Sequence, residues 1–168
     1  MPKGRRRYEL VRGELFVMES AGIEHGRVAA VVAGALLEHV RRVGGGIVLA
    51  AETGFIIERD PDTVRAPDAS FISQERYDRV GPTTKYWSGA PDFAIEVLSP
   101  EDRPGKVREK LREWLAAGTV AVVVLDPAAR TATVHRQESE PRVHDLGERL
   151  DLSDAVPDFR PTVAELFG

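Results

Sequence analysis

The sequence contains no cysteine, and this absence excludes disulfide bridges, thiolate catalysis and zinc-finger sites. It also lacks an apolar run close to the ~20 residues that a membrane-spanning helix needs, and its basic start lacks the apolar core of a signal peptide. Internal repeats, a GxGxxG fingerprint and a Walker A loop are absent as well, which argues against repeat folds and the commonest nucleotide-binding loops. We therefore expect a cytoplasmic protein.

Positive charge is also in short supply, because 23 lysines and arginines face 27 acidic residues and leave a formal net charge of −4. Nucleic-acid-binding proteins usually carry a basic excess, so this balance argues mildly against that class. The basic residues are nevertheless concentrated in two places. One is an N-terminal run that we expect to form a flexible tail over residues 1–7, with Lys3, Arg5, Arg6 and Arg7. The other is a predicted helix that carries Arg103, Lys106, Arg108, Lys110 and Arg112.

The composition is that of a soluble protein, with 42% hydrophobic and 30% charged residues. A length of 168 residues suits one domain over residues 1–168. The order of the predicted elements indicates an α/β fold with an N-terminal hairpin. We expect a mixed, twisted β-sheet built around strands that begin near residues 47, 63, 91 and 119, with helices from residues 24 and 103 packed against it.

Periodicity and turn residues predict the other elements. The chain is expected to begin with a hairpin over Tyr8–Glu19, which turns at Arg12-Gly13, and to close with a short helix over Val163–Phe167. Between them the same signals predict a strand over Ile47–Glu58, a strand buried on both faces over Thr119–Leu125, and a hairpin formed by Thr131–His135 and Arg142–Leu146. His135 and His144 are isolated, and we expect both to be surface residues of strands.

The connection over Gln74–Gly89 is rich in aromatic side chains, namely those of Tyr77, Tyr86 and Trp87. Aromatic rings in such a connection either stack on nucleic-acid bases or, more often, anchor the connection on its own domain.

Two predicted strands each carry one acid in an otherwise apolar or small-residue stretch. Alternation of side chains places Asp68 in the middle of Thr63–Ser73, and Glu96 on the face of Ala94 within Pro91–Pro100. An ionised carboxylate in such a stretch is costly unless it is paired or coordinates a cation. Carboxylate oxygens are ligands that Mg²⁺ and Mn²⁺ prefer, although a lone acid in a strand is more often an edge or solvent-facing residue.

The helix that follows the second acid supplies a cation. Residues Arg103 to Ala117 have apolar side chains at helical spacing, namely Val107, Leu111, Trp114 and Leu115. We expect Asp102 to cap its start and Gly118 to end it. Lys110 lies at the edge of the apolar stripe, from which its ammonium group can reach the ends of the neighbouring strands, and Lys106 is a rival one turn earlier. Either lysine can instead be a surface group whose stem covers apolar surface.

Three further residues are auxiliary candidates. Glu24 and His25 begin a helix predicted over residues 24–42. We favour capping for Glu24 and a packed or hydrogen-bonded role for His25, with a place among the metal ligands as the alternative for each. Glu52 shares a strand face with Val48 and Ile56 and is a candidate for an acid that supports the site.

Several runs of the chain together resemble a known family. They are Tyr8-Glu9-Leu10-Val11-Arg12-Gly13-Glu14-Leu15, Glu24-His25-Gly26, Val64-Arg65-Ala66-Pro67-Asp68, Ala90-Pro91-Asp92-Phe93-Ala94-Ile95-Glu96-Val97-Leu98-Ser99-Pro100, Lys110 and Asp126-Pro127. On these runs, the chain resembles the Uma-two family of "putative restriction endonucleases", which is assigned to the PD-(D/E)XK nuclease superfamily. The resemblance extends from Tyr8 to Phe167, and its most specific part is Glu96 to Pro100.

The resemblance implies a restriction-endonuclease-like core in which Asp68 and Glu96 are the metal-binding acids. In the superfamily a lysine usually follows the second acid by two residues, where alternation points both side chains at one site. Leu98 stands at that position here. The resemblance assigns the lysine's role to Lys110 on the helix.

We therefore expect an endonuclease that depends on Mg²⁺ or Mn²⁺ and hydrolyses phosphodiester bonds in DNA. Asp68, Glu96 and the Val97 carbonyl are expected to hold the metal, and Lys110 to act on the water and the phosphate. A homodimer is expected, because a double-strand break by one assembly needs two sites. Two alternatives stay open: a catalytically inactive module of the same fold that binds nucleic acid or a protein partner, and a metal-dependent hydrolase of another substrate.

Overall fold

The computed structural model describes residues 7–18 and 20–168, and of Arg7 and Met18 it describes the backbone alone. The predicted basic tail therefore lies outside the described residues, apart from Arg7, which begins the first strand. In chain order, the elements are β1 (Arg7–Val11), β2 (Glu14–Met18), α1 (Ile23–Val43), β3 (Gly46–Ala50), β4 (Phe55–Glu58), β5 (Thr63–Arg65), β6 (Ala69–Ser73), α2 (Gln74–Val80), β7 (Trp87–Ser88), β8 (Phe93–Val97), α3 (Pro104–Ala116), β9 (Ala121–Asp126), β10 (Thr131–Arg136), β11 (Ser139–His144) and α4 (Val163–Phe167).

Six strands form the larger sheet, in the order β11-β10-β9-β8-β6-β3. β8 and β9 run parallel and are joined by α3, whereas the other pairs are antiparallel. The predicted buried strand is confirmed in β9, which lies inside the sheet and buries residues 121–125. The closing helix α4 lies where the sequence predicts it, and the predicted hairpin forms β10 and β11, although β11 spans Ser139–His144 rather than residues 142–146.

The two faces of the larger sheet are covered by different elements. On one face, α1 packs Val28, Val32 and Leu36 against a core that includes Phe93 and Ile95 of β8. On the other face, α3 packs Leu111 and Trp114 beside Ala94, Val122 and Val124. The alternation predicted for β8 is therefore confirmed, and it directs residue 96 to the face that α3 covers.

The smaller sheet has five strands in the order β2-β1-β5-β4-β7. The predicted N-terminal hairpin forms β1 and β2, and Arg12 and Gly13 make its turn with φ values of +50° and +79°. Glu19, the last residue of the predicted hairpin, lies outside the described residues. Phe55 of β4 packs on Trp114 with 5.9 Å between ring centroids, so α3 contacts both sheets. The predicted α/β class, with mixed β-structure flanked by helices, is confirmed.

Two predicted strands are each divided in the structure. Residues 47–58 separate into β3 and β4 at a turn where Glu52 adopts φ +70°. Residues 63–73 separate into β5 and β6 around Pro67, which cannot donate a main-chain hydrogen bond and disfavours a helical conformation in the residue before it. At both points, the chain passes from one sheet to the other. The expectation of one continuous sheet was therefore wrong.

The structure also tests the predictions for the two ends of α3 and for two histidines. α3 begins after Arg103, so the expectation that Asp102 is the cap was wrong; Asp102 Oδ2 instead accepts the Ser99 N–H at 2.8 Å. Gly118 follows the end of the helix with φ +102°, as a stop signal requires. His144 is buried rather than on the surface, because it lies on the inward side of the edge strand, whereas His135 is half-buried.

The connection over residues 74–89 contains α2 and β7. Within it, Tyr77 stacks on the buried Trp87 with 6.5 Å between ring centroids, which anchors the connection on its own fold. Tyr86 stays exposed. In residues 7–18 and 20–168, no helix is long and apolar enough to cross a membrane.

Candidate active site

Glu96 and Lys110 meet between β8 and α3. Lys110 Nζ lies 2.8 Å from Glu96 Oε2, and the indole Nε1 of Trp114 donates to Glu96 Oε1 at 2.8 Å. Lys110 and Trp114 are four residues apart, so a single helix face presents both donors to one carboxylate. Lys110 also donates to the carbonyl oxygen of Ala66 at 3.2 Å.

Asp68 reaches the same region from the crossing between the sheets. Its Oδ2 accepts the Val97 N–H at 2.8 Å, and its own N–H donates to the Ile95 carbonyl at 2.9 Å. The contacts with residues 95 and 97 place Asp68 beside Glu96 of the same strand. The division of the predicted strand around Pro67 thus leaves Asp68 just before β6, with its main-chain N–H bonded to β8 and its carboxylate directed at the Val97 N–H of that strand.

His25, at the start of α1, joins this arrangement. Its Nε2 lies 3.1 Å from Asp68 Oδ1, and its Nδ1 lies 3.1 Å from the hydroxyl of Ser99. The preferred hydrogen-bonded role for His25 is thus found. Glu24 lies elsewhere: it is exposed, pairs with Arg27 at 2.8 Å and makes no side-chain cap, since Gly22 is the N-cap of α1. The preferred capping role for Glu24 was wrong.

Glu9 of β1 completes the acid cluster, and sequence reasoning missed it. Its Oε1 lies 3.2 Å from Lys110 Nζ, and its Oε2 lies 2.7 Å from Arg65 Nη1. Arg65 also contacts Glu113 of α3 at 2.6 Å. Glu9 is a lone acid within a strand, which is the signal that singled out Asp68 and Glu96, so the same criterion could have found it.

Burial is the largest single influence on the pKa values of the site, but it determines the direction of the shift for Glu96 alone. It raises the pKa of Glu96 to about 7, because attraction to Lys110 offsets only part of the desolvation and Asp68 adds repulsion. Burial also acts to raise the pKa of Asp68, but its hydrogen bonds with His25 and Val97 leave that pKa lowered. In the same way, burial acts to raise the pKa of Glu9, but Lys110 and Arg65 leave it lowered.

The pKa of Lys110 is shifted the other way. Burial favours loss of its proton, but Glu96 and Glu9 outweigh burial and raise its pKa well above the usual range. Lys110 is therefore an ammonium ion at every ordinary pH. Lys106, the rival, is exposed and pairs with Glu109 at 2.8 Å. Of the two lysines, Lys110 is the one that contacts the buried acids.

A cavity of about 420 Å³ opens beside Asp68 and His25. Small side chains of α1 and β3 form its walls, among them Ala29, Ala33 and Ala50. Glu52 lies exposed in the turn after β3 and lines the same cavity, so it is close to the site without being buried in it.

The donor chemistry of Asp68 and Glu96 fits a hard divalent cation. In the described part of the chain, no group of three or more His, Cys, Asp or Glu side chains is arranged to hold a metal. Mg²⁺, however, is usually held by one or two carboxylates, with waters and substrate phosphates as its other ligands. All four carboxylate oxygens already have protein partners, but an ionised carboxylate has about four lone-pair sites and keeps capacity for a cation.

Comparison with known proteins adds a family and a fold. The model of the Uma2 family, described as "Putative restriction endonuclease", matches residues 1–164. Among solved structures, the chain is similar to a "putative nuclease belonging to DUF820" from Anabaena variabilis ATCC 29413, with 21% identity and a TM-score of 0.83 over 95% of this chain and 89% of that chain. At this identity the likeness shows a shared fold. No curated protein matches the sequence.

Proposed function

Because the chain belongs to the Uma2 family, we propose that it is an endonuclease that depends on Mg²⁺ or Mn²⁺ and hydrolyses phosphodiester bonds in DNA. The description of the family supports nuclease activity in general. One observation supports the proposal of metal-dependent DNA hydrolysis: Lys110 Nζ contacts Glu96 at 2.8 Å. Asp68 lies beside this contact, because it accepts the N–H of Val97, the residue that follows Glu96. Two acids can hold a divalent cation, and a retained ammonium group can stabilise charge that develops on the phosphate, which together support metal-assisted phosphodiester cleavage.

Asp68 and Glu96, with the carbonyl of Val97, are the residues that would hold the cation. When bound there, the cation would lower the pKa of water and neutralise charge that develops on the phosphate. Its positive charge would also oppose the two effects that raise the pKa of Glu96, which are burial first and repulsion from Asp68 second.

Lys110 is the proposed catalytic residue beside these acids. Since its raised pKa keeps it protonated, it acts as a hydrogen-bond donor and positive charge rather than as a base. An ammonium group in this place can orient the attacking water and stabilise the phosphate as negative charge grows in the transition state. The fixed charge also suits a buried position, where electrostatic interactions are stronger than in water.

A catalytically inactive binding module is the second candidate. Two observations favour it: Leu98 stands where the superfamily usually has lysine, and the four oxygens of Asp68 and Glu96 already accept hydrogen bonds or contact His25. Such a module would bind nucleic acid without turnover, and its binding would not require a metal.

Cleavage assays distinguish the two candidates. Plasmid, linear duplex, single-stranded DNA and RNA are incubated with purified protein in Mg²⁺, Mn²⁺ or EDTA. We expect metal-dependent cleavage that falls about 10²- to 10⁴-fold in Lys110→Ala, the usual loss for one positioned group, with little change in metal affinity. Lys106→Ala is the matched control on the same helix and should keep most of the activity. Full cleavage by Lys110→Ala would show that this lysine is a bystander.

Thermal melting tests the metal ligands separately from turnover. A cation that binds the folded state but not the unfolded one raises the melting temperature, and the rise grows with the ratio of its concentration to Kd. We expect Mn²⁺ to stabilise the wild-type protein and to lose this effect in Asp68→Asn and in Glu96→Gln. Wild-type stabilisation in both variants would contradict the assignment of these acids.

A further inference from the structure

Phe16 and Lys106 form an exposed pair one helical turn from the proposed site. The Lys106 ammonium group lies 5.7 Å from the centre of the Phe16 ring, which is a cation–π distance. Phe16 is 40% exposed, and the Lys106 side chain is 66% exposed, so solvent reaches both groups.

The position of this pair follows from the register of the hairpin. Phe16 is directly opposite Glu9 in the pairing of β1 with β2, and opposite residues project on the same face of a sheet. Glu9 contacts Lys110, whereas Phe16 contacts Lys106 four residues earlier on α3. Four residues of helix rise about 6 Å, so the aromatic ring lies next to the place where a phosphate would meet Lys110.

We propose that Phe16 is a stacking platform for one unpaired nucleobase next to the scissile phosphate, with Lys106 on the adjoining phosphate, and that the substrate is therefore single-stranded DNA. This inference rests on the proposed function for the identity of the scissile position. Aromatic rings bind successive bases of single strands by stacking, and cations beside them contact the backbone. In a duplex, the faces of a base are covered by its neighbours, so Phe16 has no face to contact.

The charge of the chain agrees with a short single-stranded contact. Proteins that bind duplex DNA draw much of their affinity from phosphates that lysine and arginine neutralise. Here the formal net charge is −4, and Lys106 is itself paired with Glu109. One stacked base can supply affinity that this sparse positive charge does not.

Binding measurements in EDTA test the proposal without turnover. Fluorescence anisotropy is recorded with a labelled single-stranded oligonucleotide and with its duplex, for wild type, Phe16→Leu and Phe16→Trp. We expect tighter binding of the single strand by wild type, a loss of roughly 10-fold in Phe16→Leu, which keeps apolar packing but removes the ring, and recovery in Phe16→Trp. Tyr8→Leu is the matched control, since Tyr8 is an exposed aromatic residue directly opposite Val17 on the other face of the hairpin.

Oligonucleotides with an abasic site at successive positions distinguish base stacking from a structural role of Phe16, because a structural role would not make the affinity depend on one particular base. For the wild-type protein, removal of the one stacked base should weaken binding about as much as the Phe16→Leu substitution does. For the Phe16→Leu variant, removal of the same base should leave the affinity unchanged. Equal abasic profiles in both proteins, or equal affinity for duplex and single strand, would overturn the inference.

The outcomes separate this inference from the proposed function. Metal-dependent cleavage that is unchanged in Phe16→Leu, together with unchanged single-strand binding, overturns the stacking platform and leaves the nuclease. Phe16-dependent binding of single strands without cleavage supports the platform and overturns the nuclease. Absence of both binding and cleavage overturns both.

Discussion

Glu9 is held by two cations, and its removal would leave each of them with one carboxylate fewer. It is 4% exposed and contacts both Lys110 and Arg65. We expect Glu9→Gln to lower the free energy of unfolding by about 2 kcal/mol, less than a fully broken buried pair, because Arg65 keeps Glu113. Urea denaturation measures the change.

An exposed ion pair provides the control for Glu9. Glu75 contacts Arg79 at 2.7 Å on the surface of α2. Exposed pairs contribute little, so Glu75→Gln should change the free energy of unfolding by less than about 0.5 kcal/mol. A loss of equal size in the two variants would contradict the buried role of Glu9.

The raised pKa of Glu96 makes metal-free stability depend on pH. The folded protein holds this proton more tightly than the unfolded chain, whose carboxyl has a pKa near 4.5. The stabilisation from Glu96 is therefore complete below pH 4.5 and is lost as the pH rises through about 7. In EDTA, the free energy of unfolding of wild type relative to Glu96→Gln should fall over this range by on the order of 2–3 kcal/mol. Urea titrations at intervals from about pH 4 to about pH 8 measure this difference between the two proteins. A difference that does not change with pH would contradict the raised pKa of Glu96.

Single residues also explain what the sequence could predict about the site. Asp68, Glu96 and Lys110 stand out because charge in an apolar context needs a partner nearby, and in the structure these residues lie together. Glu9 meets the same criterion, but its partners Arg65 and Lys110 belong to distant segments, and periodicity carries no information about which distant segments come into contact.

At the scale of the elements, two glycines of α1 and β3 should respond in opposite ways to an added methyl group. A Cβ at Gly46 would meet the Phe71 ring at 2.5 Å and the backbone carbonyl of Ile72, whereas a Cβ at Gly34, exposed on α1, would meet nothing within 4 Å. We expect Gly46→Ala to destabilise the protein by about 2–3 kcal/mol and Gly34→Ala to stabilise it by about 0.5–1 kcal/mol. Thermal melting of both variants checks the signs, and a stable Gly46→Ala would show that β3 can shift away from β6.

The elements that periodicity predicted well are the ones whose pattern stays within one sheet or one helix. β8, β9, α1 and α3 belong to this class. The segments over residues 47–58 and 63–73 were predicted as single strands because their side chains can be assigned to alternating faces along each segment. Their division depends on a second sheet that pairs with half of each segment, which is a property of tertiary structure.

At the scale of the whole molecule, the oligomeric state stays a prediction. The proposed site would cut one strand at a time, so a double-strand break by one assembly requires two sites related by symmetry, whereas the single-stranded substrate inferred from Phe16 requires one. Sedimentation velocity checks the predicted homodimer, which we expect at micromolar concentration if duplex DNA is cut as well. A strictly monomeric protein would contradict this expectation and would restrict the activity to nicks and to single strands.

The ammonium group of Lys110 lies between carboxylates that belong to different sheets, with Glu9 on the smaller sheet and Glu96 on the larger one. These partners therefore come together only after both sheets have docked on α3. In a chain whose hairpin has detached, Lys110 would lose Glu9 and keep Glu96, and Asp68, Glu96 and Lys110 would stay together on the larger sheet and α3. In the proposed nuclease, docking of the smaller sheet would therefore adjust the charge around Lys110 without assembling the metal ligands.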